Sequence, residues 1–132
     1  MLARNSYRIL IGAYLNLGAL VEFILRSNHD LLILCAGWKN KFNLEDSLFA
    51  GALAQAVLKN NRFYTLCDSA HASIDLWNLA KDNLMAYIEK AAQRHRLKKN
   101  MLDDVIEYCH TPDLTRLIPA LHNDRLTLVE DI

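Results

Sequence analysis

The sequence predicts an α/β fold, with helices around a small, mainly parallel sheet. Two observations carry that expectation. Short apolar runs with β-branched content, Arg8–Tyr14 and Leu31–Ala36, alternate with stretches whose apolar residues recur at helical spacing. The resulting order of strand, helix, strand, helix is most economically assembled as two parallel strands joined by a right-handed helical crossover.

Each element has its own local reason. After the first run, Asn16 is placed to cap a helix bearing Leu17, Leu20, Val21, Ile24 and Leu25 on one stripe. The second run is apolar on both faces, as a central strand is, and Gly37 ends it. A polar loop over Trp38–Lys41 leads to a helix from near Asn43, with Leu44, Leu48, Phe49, Ala52, Leu53, Ala56 and Val57 in its stripe. Asp68 or Ser69 is positioned to cap a third helix carrying Ala70, Ile74 and Trp77. Lys81–Lys99 is helical by propensity and basic at its end. A last helix over about Met101–Cys109 stops at Thr111-Pro112. Leu117-Ile118 and Leu126–Val129 read as short edge strands. Two firm strands with one or two late ones make a thin platform, and a sheet that small usually gains strands from missing sequence or another subunit.

Composition narrows the function classes. The 132 residues are read as one domain, 1–132, with 52% hydrophobic and 23% charged residues. Fifteen basic residues balance fifteen acidic ones, which gives none of the positive excess that nucleic-acid or anionic-lipid binding needs. No apolar stretch approaches the roughly 20 residues of a membrane span, and Met1–Ser6 lacks the shape of a signal peptide. The odd, scattered cysteines Cys35, Cys67 and Cys109 fit reduced thiols in a cytoplasmic protein, with Cys35 buried in the second strand.

In open parallel sheets ligands sit beyond the carboxyl ends of the strands. Tyr14-Leu15-Asn16 and Gly37–Asp46 fall there. Glu45 and Asp46 are adjacent carboxylates in a first helical turn, where either a helix cap or a metal or acid–base role is open. In the capping reading, Asp46 returns to the Asn43 amide. Asp68 has the same two readings. The five histidines form no metal pattern, and no phosphate loop or nucleophile motif occurs.

The segment Cys35-Ala36-Gly37-Trp38-Lys39-Asn40-Lys41-Phe42-Asn43-Leu44-Glu45-Asp46, with Ala50-Gly51 one turn later, resembles the signature of the 2-phosphosulfolactate phosphatase family. Leu15-Asn16 with Ala19, Asp68-Ser69-Ala70, His95-Arg96-Leu97, Asp104–Cys109 and Ile118-Pro119 resemble further family motifs in the same order. The resemblance covers about Ile9 to Leu128 and implies the C-terminal half of a three-layer α/β/α phosphatase. The family's D-V-x-R-A-T, G-N-S-P and T-T-x-N-G-T motifs, which belong to its N-terminal half, do not occur here.

The resemblance implies a Mg²⁺-dependent phosphoric monoester hydrolase acting on 2-phosphosulfolactate or a similar small phosphorylated acid, in a family named for coenzyme M biosynthesis. It makes Glu45 and Asp46 the expected catalytic and metal positions and Asp68 a further catalytic candidate. Asn16 and Gly37 become expected donors to the anionic substrate. A complementary N-terminal chain would complete such a site. The alternative is a non-catalytic truncated homologue that self-associates or binds a small anion.

Overall fold

A computed structural model describes residues 6–129. The first five residues, read above as lacking a leader, lie outside them. Six helices and three strands follow in the order β1 (Ile9–Leu10), α1 (Leu17–Arg26), α2 (Leu44–Leu58), α3 (Asp68–Ala80), α4 (Leu84–Ile88), α5 (Ala92–Lys99), α6 (Ile106–Cys109), β2 (Pro119–His122) and β3 (Arg125–Leu128). The α/β class stands, and the sheet differs. Its order is β1-β2-β3, both pairings are antiparallel, and β2 meets β3 across a tight turn at Asn123-Asp124, both with positive φ.

The mainly parallel sheet is therefore corrected, and the reason is specific. Leu31–Ala36 adopts no regular element and pairs with no strand among the described residues. Leu32 and Leu34 are 75% and 54% exposed, and Cys35 is exposed where burial was expected. Apolar content marks a strand that some sheet must bury; it does not supply the neighbouring strands. The first run also shortens to Ile9–Leu10. It pairs with β2, the earlier of the two expected edge strands having shifted past Ile118 to Pro119–His122.

α2 organises the interior. Leu53 and Val57 pack with Leu20 and Ile24 of α1 and with Ile118, while Leu48 packs with Ala80, Ile88, Ala91 and Ile106. A helix buried toward both neighbours must be apolar nearly all round, as its sequence is. α3 crosses close because Gly51 has no side chain: a Cβ there would overlap the Ser73 carbonyl oxygen. The basic helix expected over Lys81–Lys99 is divided. A 3-10 turn at Lys81–Asn83 precedes α4, and the chain re-enters a helix only at Ala92. The last helix is shorter than expected, since Met101 takes a positive φ and α6 begins at Ile106.

Candidate functional site

The start of α2 is built from the loop before it. Asn43 caps the helix, its Oδ1 accepting the amides of Glu45 at 2.9 Å and Asp46 at 3.4 Å. Asp46 does not return to the Asn43 amide as expected. Its Oδ2 instead accepts the Gly37 N–H at 2.6 Å, fastening the end of the extended segment to the first turn of α2. Gly37 has φ +69°, and a Cβ would lie 2.7 Å from the Lys41 carbonyl oxygen, so this turn requires glycine.

Glu45, beside it, has a different environment. Its Oε1 is buried and has no hydrogen-bond partner among the described residues. Burial raises its carboxyl above the ordinary range, His110 lowers it, Asp46 raises it, and Arg96 and Arg94 lower it less. Tyr14 lies in the same interior, in the 3-10 turn Tyr14–Asn16, and its hydroxyl is likewise buried and unpartnered. Burial and then the charge of Glu45 push that phenol well above its usual value. Its ring contacts His110 at 5.5 Å, Phe49 at 5.4 Å and Trp77 at 6.0 Å between centroids. His110 Nδ1 is 2.8 Å from the Ile106 carbonyl oxygen, an acceptor only, so Nδ1 carries the hydrogen and Nε2 is left to exchange a proton.

The two arginines behave differently. Arg94 is buried and spent, paired with Glu89 at 2.8 Å and with Asp103. Arg96 donates to the neutral Gln93 Oε1 at 3.0 and 2.6 Å and stacks over Trp38 at 4.7 Å. It pairs with no carboxylate among the described residues, so its charge is not neutralised at contact. Trp38, Lys41, Phe42, Asn43, Leu44, Gln93 and Arg96 line a cleft of about 110 Å³ at this end of α2. A larger hollow of about 380 Å³ lies on the sheet, lined by Tyr7, Arg8 and residues of β2 and β3, with no candidate residue in its wall.

The sequence-predicted residues thus separate. Glu45, Asp46 and Gly37 share one locale. Asn16 is buried and occupied: its Nδ2 donates to the carbonyls of Ile11 at 3.2 Å and Leu117 at 3.0 Å, and its Oδ1 accepts the Ala13 amide at 2.9 Å. Asp68 opens α3 exposed, with no capping bond from its side chain and no bond to Glu45 or Asp46. Tyr14, His110 and Arg96 were not singled out from the sequence. Tyr14 carried a signal in its place at the end of the first apolar run, and Arg96 in the His95-Arg96-Leu97 stretch that resembles a family motif.

Comparison with known proteins gives the chain's family. The family model for 2-phosphosulpholactate phosphatase matches residues 1–124. The chain belongs to the 2-phosphosulfolactate phosphatase family. It is 34% identical over 126 residues to the "Probable 2-phosphosulfolactate phosphatase" of Thermotoga maritima, covering 96% of this chain and 53% of that protein. The similarly named proteins of Clostridium novyi and Nostoc punctiforme are 30% and 27% identical, over 95% and 90% of this chain and 52% and 50% of theirs. The chain spans about half the length of the curated relatives it matches.

No helix among the described residues is long and apolar enough to cross a membrane. Nor do three or more His, Cys, Asp or Glu side chains among them gather as a metal cage. Mg²⁺ characteristically takes one or two carboxylates and fills its remaining positions with water and phosphate oxygens. Glu45, with an orphaned oxygen, and Asp46, with Oδ1 outside its bond to Gly37, fit part of such a site.

Proposed function

We propose that this chain contributes the α2 side of a phosphatase site that removes phosphate from 2-phosphosulfolactate or a similar small phosphorylated acid. The observation that carries the reading is Glu45: a half-buried carboxylate with one buried oxygen unused, in the stretch that resembles the family's motif. Leaving such a group unpaired costs stability, and perturbed carboxylates concentrate at functional sites.

Glu45 and Asp46 would hold Mg²⁺, which when bound neutralises phosphoryl charge and orients water. The chain's own residues do the rest. Asp46 keeps Gly37 in its turn, so the loop before α2 has a fixed shape. Arg96, not neutralised by any contacting carboxylate, places positive charge at the cleft for the phosphate or sulfonate of the substrate. His110, with Nε2 free, takes or gives a proton near Glu45. The remaining anion-binding groups belong to the part of the family's length that this chain does not span.

Calorimetry tests the metal half of this reading. Mg²⁺ should bind the wild-type chain measurably and lose that heat in the Glu45→Gln, Asp46→Asn double variant. A well-folded wild type with no Mg²⁺ binding even at millimolar concentration and with sulfolactate present would leave the two carboxylates as helix-start residues and sink the metal assignment.

A further inference from the structure

The most anomalous part of the molecule lies outside the Glu45 cluster. From Asp30 to Ala36 no backbone N–H or C=O forms a backbone hydrogen bond among the described residues. The segment is nonetheless one of the most apolar in the chain, with Leu31, Leu32, Ile33 and Leu34 in succession. Ile33 packs onto the core of α1 and α2, while Leu32 and Leu34 are 75% and 54% exposed. Leu31 and Cys35 are exposed as well, so within Leu31–Ala36 Ile33 alone anchors the segment to the protein's own helices and the rest of its apolar surface is uncovered. A second extended stretch follows α2, where Tyr64 and Leu66 are 84% and 88% exposed. Tyr64, Thr65 and Leu66 also make no backbone–backbone hydrogen bond among the described residues.

Two strand-like segments flanking one helix, each with open edges and an open apolar face, need both neighbouring strands and a covering layer. A short peptide added at one edge leaves the face exposed. A body of strands and helices supplies both, and nearly half of the length of the Thermotoga maritima relative lies outside its match to this chain. We propose that Leu31–Ala36 is an open docking strand. Its partner is a polypeptide carrying the part of the family's length that this chain does not span, which pairs with the strand edge and buries Leu32 and Leu34. The inference rests on the phosphatase-family reading for the partner's identity and on unpaired backbone for its location. It also fixes the geometry of catalysis, because the docking strand runs directly into Gly37, whose amide is held by Asp46.

The test is hydrogen exchange on the full 132-residue chain, alone and co-expressed with the unmatched portion of the Thermotoga maritima relative. Alone, amides 31–36 should exchange at close to free-peptide rates. In the complex they should slow by about 100-fold or more, as buried strand amides do. The Leu32→Lys, Leu34→Lys double variant should abolish co-purification without changing the exchange of α2. A flexibly tethered single chain of the two parts serves as a second arm if the separate portion is insoluble. Free exchange of 31–36 in both arms overturns the proposal, and so does protection that arises from a homodimer of this chain alone. Phosphate release is measured separately: protected amides in an inactive complex would retain the docking strand and refute only the proposed activity.

Discussion

Asp46 and Gly37 serve different ends from those their spacing suggests, whereas Asn43 serves the one it suggests. The Asn43 cap was legible from an Asn set directly before an apolar helical stripe. The partner of Asp46 was not legible: a carboxylate at the third helical position reaches either the cap amide or a neighbouring loop, and only the fold decides. Glu45 is the residue whose environment makes a sharp prediction. In the metal-free protein its folded-state carboxyl is raised chiefly by burial, so protonation favours folding. That contribution is fully present below the unfolded carboxyl value of about 4.3 and is lost as pH rises through the higher folded value. Glu45→Gln removes the titration. Urea melts should show the variant gaining on wild type between pH 4 and pH 7, and a gap that stays constant or reverses would contradict the buried, unpaired carboxylate. Asn16 predicts the opposite behaviour for a residue also expected in the site. Its amide donates to two carbonyls from chain segments about a hundred residues apart, so Asn16→Asp should cost about 2–4 kcal/mol of stability. An Asn16→Asp variant of unchanged urea midpoint would return Asn16 to the list of substrate donors.

Helices were more legible than strands. Every helical stripe read from the sequence contains a helix, because 3.6-residue periodicity is local information. The pairing of strands is not local. Leu31–Ala36 was read as a buried central strand, yet it forms no strand among the described residues and most of it is exposed; the sheet formed instead from three short segments at opposite ends of the chain. The helix ends carried similar surprises. Asn16 precedes α1 without capping it, and Asp113, 95 residues downstream of Gly18, supplies the acceptor at 2.6 Å. Removing it with Asp113→Ala should cost about 1–2 kcal/mol by thermal or urea unfolding. At the α2–α3 crossing two effects compete. Alanine is about 1 kcal/mol better than glycine in a helix, but a Cβ at Gly51 overlaps the Ser73 carbonyl. Backbone cannot yield as a flexible side chain does, so the clash wins, and Gly51→Ala should lose about 1–3 kcal/mol net. A stabilised Gly51→Ala would show that the two helices are not in this contact.

At the scale of the whole molecule, the sequence resemblance and the family match agree in extent, and the unsatisfied features lie on one theme. The chain covers about half of each relative reported above, and its sheet, its Leu31–Ala36 strand and its Glu45 cluster are each short of partners. Its fifteen basic and fifteen acidic residues leave little charge repulsion to keep exposed leucines apart. What the sequence could not convey is which side chains from distant segments converge: Tyr14, Glu45 and His110 meet only once α2 and α6 are packed. The central claim is that Glu45 works in phosphate removal once the rest of the family's length is present. The direct measurement is phosphate release from 2-phosphosulfolactate by the two-part complex, with Mg²⁺ and with chelator, in wild type and Glu45→Gln. The wild-type complex should release phosphate only with Mg²⁺, this chain alone should release none, and Glu45→Gln should lose about 100-fold or more in kcat. Equal release by the Glu45→Gln complex, or release undiminished by chelator, would contradict the central claim.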